Sequence, residues 1–139
     1  MSAKRHGHRI GFAALTLAVA LWGQTLASQS QTGSAEGAVR ETLQRYSAAL
    51  ESLDATAVKK VQPSLPAENL AKAFKDMRTL KVTIDAVRVL SIDGTTARVS
   101  CKVTQTLTPK VGSKQTTAVT RVMRLRRTGD GWVIDSFER

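Results

Sequence analysis

The chain closes on "RLRRTGDGWVIDSFER", Arg124 to Arg139. Charged and apolar residues alternate up to Arg126, Gly129 and Gly131 bracket a turn, and a second run carries Trp132 and Ile134. Alternation with a period of two marks a half-buried strand, and a glycine-bracketed break between two such runs marks a hairpin. The last strand is therefore expected to pair with the one before it. Trp132 and Ile134 should face one way and Asp135 the other.

Working back from that hairpin, "QTTAVTRVMRLRR" (Gln115–Arg127) keeps Val119, Arg121, Met123 and Leu125 in phase. The phase aims Arg121 inward as a handle for an anion, unless a bulge turns it out. "PKVGSK" (Pro109–Lys114) is a loop. In "TARVSCKVTQTLT" (Thr96–Thr108), Ala97, Val99, Cys101, Val103 and Leu107 share one face, and Arg98, Ser100, Lys102 and Thr104 share the other. Asp93-Gly94 is a hairpin turn signal. Before it, Leu80, Val82 and Ile84 alternate and then slip a step to Val87 and Val89, which predicts a bulge at Asp85–Ala86.

Upstream of Thr79 the period is helical. Val39, Leu43, Tyr46, Leu50 and Leu53 are spaced 4, 3, 4 and 3 apart, one face of a helix. Asp54 is an N-cap for a short second helix carrying Val58 and Val61. Pro63 and Pro66 break it, since each lacks an N–H, and Leu70, Phe74 and Met77 predict a third helix. Helices first and a strand meander after them give an α+β class, with helices packed on one face of a curved antiparallel sheet.

In "VRETLQRYSAALESLDATAVKKVQPSL", Tyr46, Ala48, Ala49 and Asp54 stand where the opening of the NTF2-like superfamily, also called SnoaL-like or cone-shaped α+β, has its matching residues. The ending "LRRTGDGWVIDSF" is similar to that superfamily's final hairpin. The resemblance covers about residues 38–138 and implies that Trp132 and Ile134 face the first helix. It also implies a homodimer through the sheet. The superfamily includes isomerases, dehydratases, epoxide hydrolases and members without activity, so the fold alone does not assign chemistry.

The first 27 residues read as a secretory signal peptide: Lys4, Arg5 and Arg9, then an uncharged run Ile10–Leu21, then Thr25 and Ala27 at a small-residue cleavage site. A membrane span needs about 20 apolar residues, so an uncleaved membrane anchor is the second reading. Residues 28–37, "SQSQTGSAEG", read as a flexible linker, leaving 38–139 as the NTF2-like domain of an exported, secreted or periplasmic protein. The formal net charge of +10 makes it a basic protein with a pull toward anionic surfaces. Cys101 is the only cysteine, which excludes an internal disulfide.

Chemistry has few candidates. Both histidines, His6 and His8, lie in the signal segment, so histidine-based nucleophile pairs and dyads are absent from the domain. No metal site or cofactor is expected. Tyr46 with Asp85 or Asp135 is the one conceivable acid/base pair. Cys101, between Val99 and Val103, is expected to be a buried, inert thiol. Arg98, Lys102, Arg124 and Arg126 share the outer sheet face and could bind an anionic envelope component. No aromatics interleave with them, which argues against nucleic acid. The expected function is a non-catalytic binding or assembly module of the cell envelope. The alternatives are a small-molecule enzyme using Tyr46 and an anionic-polymer binder using the basic face.

Overall fold

A computed structural model of the protein describes residues 25–129 and 131–139. Three helices, α1 (Thr25–Glu51), α2 (Ala55–Val61) and α3 (Ala67–Lys75), precede four strands, β1 (Met77–Ile92), β2 (Thr96–Pro109), β3 (Gln115–Thr128) and β4 (Gly131–Glu138). The strands form one antiparallel sheet in the order β1-β2-β3-β4. This is the α+β arrangement expected from the change of period. The basic and apolar parts of the expected signal segment, residues 1–24, lie outside the described residues. No helix among the described residues is long and apolar enough to cross a membrane.

Four residues of the predicted stripe, Val39, Leu43, Tyr46 and Leu50, form the buried face of α1, but the fifth, Leu53, lies past the helix end at Glu51, at φ +53° and only partly buried. The helix comes close to both edge strands, β1 and β4, while its backbone stays farther from the two inner strands. The Thr42 hydroxyl and an Arg45 guanidinium N–H donate to the Trp132 carbonyl at 3.3 and 3.4 Å. Nearer the other end, the Val82 amide donates to Glu51 Oε1 at 2.8 Å. The helix thus lies like a chord across a concave sheet. Val99, Met123, Leu125 and Ile134 fill the space beneath it, each fully buried.

Three further local readings differ from the structure. Residues 28–37, expected as a flexible linker, continue α1. Helix propagation adds one hydrogen bond per residue fixed once a turn is nucleated, and the docked half from Val39 supplies that nucleus. Met77, expected on the third helix, belongs to β1 and pairs with Pro109. The helix stops at Lys75 because Lys110 N–H bonds to the Asp76 carbonyl at 2.8 Å and draws the chain into the sheet. The third difference is a second bulge, at Asp135, described below.

Other devices are where the sequence placed them. The Asp54 carboxylate accepts from the Thr56 and Ala57 amides at 2.8 and 3.2 Å and caps α2. Asp93 holds its turn by accepting from the Thr95 and Thr96 amides, and these bonds keep its carboxyl well below the usual range, at about 2. The β1 register shifts between Asp85 and Arg88, with Ala86 at φ +50°, so the predicted bulge is present.

Core truncation tests this packing. Trp132→Ala should cost about 3–5 kcal/mol and Leu43→Ala about 2–5 kcal/mol. Leu90→Ala, on a half-exposed side chain, should stay within about 0.5 kcal/mol. Urea midpoints measured for the three variants would check the ranking.

Candidate functional site

Strands β2 and β3 run on past the ground that α1 covers. Their inner-face residues there, Gln105, Thr117, Val119 and Arg121, are exposed, whereas Met123 and Leu125 farther along β3 are buried. A cavity of about 220 Å³ opens at this transition. Tyr46 of α1 and Phe137 of β4 are in its wall, Val103, Val119 and Met123 supply apolar surface, and Gln105, Thr117 and Arg121 supply polar groups. A second hollow of about 160 Å³, between α1 and β1, carries Arg40, Ile84 and Val87 but no aromatic ring.

The β2–β3 register is unbroken through Arg121, which faces Cys101 across the ladder. No bulge turns Arg121 out, so the inward reading of this residue holds. Its guanidinium lies 5.6 Å from the centroid of the Phe137 ring, within the range of a cation–π contact. The Phe137 ring is tilted 48° to that of Tyr46, with centroids 6.4 Å apart. Burial pushes the Tyr46 phenol up to about 12, with the Arg121 charge pulling weakly the other way. The phenol is therefore a hydrogen-bond donor at any ordinary pH.

Phe137 reaches this wall because of the second bulge. Leu125 pairs with Ile134 and Arg124 with Ser136, so Asp135 is left without a partner. The inserted residue restores Phe137 to the face that Trp132 and Ile134 occupy. The sequence reading missed Phe137, Gln105 and Thr117. Gln105 and Thr117 were findable, since polar residues in phase with Val103 and Val119 are the sign of an inner face that meets water. Phe137 was not, because nothing in "WVIDSF" announces the bulge.

The remaining predicted residues sit elsewhere. Asp85 is exposed and pairs in register with Lys102, and Asp135 accepts from Arg126 Nε at 3.2 Å. Neither lines the Tyr46 cavity, so the acid/base pairs of Tyr46 with Asp85 or Asp135 are not assembled. Arg98 and Arg124 are directly opposite one another. Glu138 holds both, at 2.6 Å to Arg98 and 3.5 Å to Arg124, and the Arg98 bonds hold its carboxyl down at about 2. Cys101 is buried, and burial raises its thiol. Among the described residues no cluster of three His, Cys, Asp or Glu could hold a metal.

No family model and no curated protein matches this chain. Solved structures do. An NTF2-like protein with a cystatin-like fold from Novosphingobium aromaticivorans has a TM-score of 0.64 at 17% identity, covering 86% of this chain and 90% of that one. The chain has the NTF2-like fold. Another such structure is an NTF2-like superfamily protein from Salmonella enterica serovar Typhimurium, with a TM-score of 0.63 at 17% identity over 77% and 90% of the two chains. A candidate scytalone dehydratase from Novosphingobium aromaticivorans gives 0.69 at 10% identity over 79% and 85%.

Tyr46 is the only tyrosine of the chain, so its titration can be read alone. The folded phenol should ionise near 12 and the denatured one near its ordinary 10. Because the folded value is raised, the associated stability is complete below 10 and is lost as the pH rises through 12. Arg121→Gln should move the folded midpoint higher still. Phenolate absorbance against pH checks both; a folded midpoint at 10 would mean a solvated phenol.

Proposed function

We propose that this NTF2-like chain is an exported, non-catalytic binding module whose working site is the Tyr46–Arg121 cavity. The observation that carries this reading is the cavity's inventory of groups. It holds a phenol that stays protonated and a guanidinium that stays charged, with no carboxylate or imidazole to accept a proton. General acid–base chemistry needs a group that titrates near the working pH, and none lines this wall.

The polymer-binding reading is weaker on the same grounds of charge. Of Arg98, Lys102, Arg124 and Arg126, the three arginines each have a carboxylate within 4 Å. Glu138 serves both Arg98 and Arg124 and Asp135 serves Arg126, and a face partly neutralised from within attracts a polyanion less. The same internal pairing suits a homodimer through this outer face, since burying it strands fewer unpaired charges.

Two measurements test the proposal. N-terminal sequencing of the native protein should find a start at Ser28, after removal of the signal segment; recovery of the intact chain from membranes would favour the anchor. Small molecules that raise the melting temperature should be recovered chemically unchanged, as mass spectrometry of the incubated mixture would show. Turnover of any of them, abolished by Tyr46→Phe, would make the protein an enzyme.

A further inference from the structure

The cavity also indicates what kind of molecule it takes. Arg121 carries a permanent charge. Among the described residues it has no carboxylate partner: the three ion pairs of the structure belong to Arg98, Arg124 and Arg126, and they occupy Glu138 and Asp135. Its guanidinium lies 5.6 Å from the centroid of the Phe137 ring. A guanidinium without a carboxylate partner can offer its N–H edge to a planar acceptor, and a carboxylate matches that edge in two parallel bonds.

The other polar groups narrow the choice. Tyr46 adds an O–H donor, and Gln105 and Thr117 are neutral. A single positive charge with no second cation on the wall suits a single negative charge. An ammonium ligand would meet a cation and find no anion. The rest of the lining, Val103, Val119, Met123 and Phe137, is apolar and suits a hydrocarbon body. The volume of about 220 Å³ is below the ~300–1,000 Å³ of pockets that hold drug-sized ligands, so that body is short.

Building on the binding reading above, we infer that the cavity takes a small monocarboxylic acid, with its carboxylate on Arg121 and its apolar tail toward Met123 and Phe137. Hexanoate and benzoate are suitable probes, with hexanamide and benzamide as neutral counterparts of the same shape. Calorimetric titration of the full chain should show one acid bound per chain. Each amide should bind about tenfold more weakly or worse, the size of a lost charged hydrogen bond. Arg121→Gln should weaken the acids by a similar factor and leave the amides unchanged, and Arg121→Lys should recover part of the loss. Arg121 is exposed, so these variants should fold, which circular dichroism checks. Gln105→Glu, which adds a negative charge to the same wall, should also weaken the acids selectively.

Equal affinity for acid and amide, full acid binding by Arg121→Gln, or no acid binding at millimolar concentration would each overturn the inference. Inorganic phosphate binding as well as the acids would overturn the part played by the apolar tail. Amides bound in preference to acids would leave the cavity a binding site but refute the ligand class. Acids bound and then chemically altered would refute the non-catalytic reading and leave the ligand class intact.

Discussion

On the α1 side facing β4, Thr42 and Arg45 donate to the Trp132 carbonyl; near its C-terminus Glu51 accepts from the Val82 amide. These bonds tie one helix to both edges of the sheet. A straight element fastened at two edges of a twisted sheet forces the inner strands away from it, and the gap must be filled. Large apolar side chains fill it where the helix passes over, at Val99, Met123, Leu125 and Ile134. Where β2 and β3 outrun the helix there is nothing to pack against, and the gap becomes the cavity. The core and the candidate site are thus two ends of one space, separated at Met123, which belongs to both.

That geometry explains which polar residues the inner face tolerates. Burying a charge without a partner is costly enough that proteins avoid it. Arg121 is spared because the position is exposed, while two residues farther along β3 Met123 has no exposure at all. Tyr46 is the intermediate case. Its ring packs with Leu43 and Leu50 on the buried face of α1, and it also forms part of the cavity wall. Desolvation without an ion-pairing partner keeps the phenol neutral, so the wall combines a fixed charge with a fixed dipole rather than two groups that exchange protons.

The architecture was legible in the sequence because its signals are periodic and redundant. The Val39–Leu50 part of the stripe, on α1, the two-residue alternation of β2 and the Asp93-Gly94 turn each agree with their neighbours, and agreement across levels marks a sequence that specifies one structure. The inward phase of Arg121 was legible for the same reason. The start of α1 was not, because Gly33 and Gly37 are poor helix formers and their helical state depends on the docked half that follows. Met77 was misplaced because its spacing from Phe74 suits a helix; only the Lys110–Asp76 bond and the pairing with Pro109, both from a segment distant in sequence, assign it to the sheet.

The two aspartates show how a sequence pattern can point at chemistry and find architecture. Asp85 and Asp135 attracted attention as acids inside strands, where carboxylates are uncommon. Each stands at a break in the ladder, one in the register shift of β1 and the other unmatched in β4. A bulge is a place where a strand can hold a polar residue, since the ladder is already interrupted and the backbone turns the side chain toward water. Both bulges lie on edge strands. The break at Asp135 restores Phe137 to the concave side, where its ring centroid lies 5.6 Å from the Arg121 guanidinium. Asp135 itself pairs with Arg126 on the opposite face. The acid that looked catalytic therefore contributes to the cavity by displacement: its insertion sets the phase of the aromatic residue beside the guanidinium.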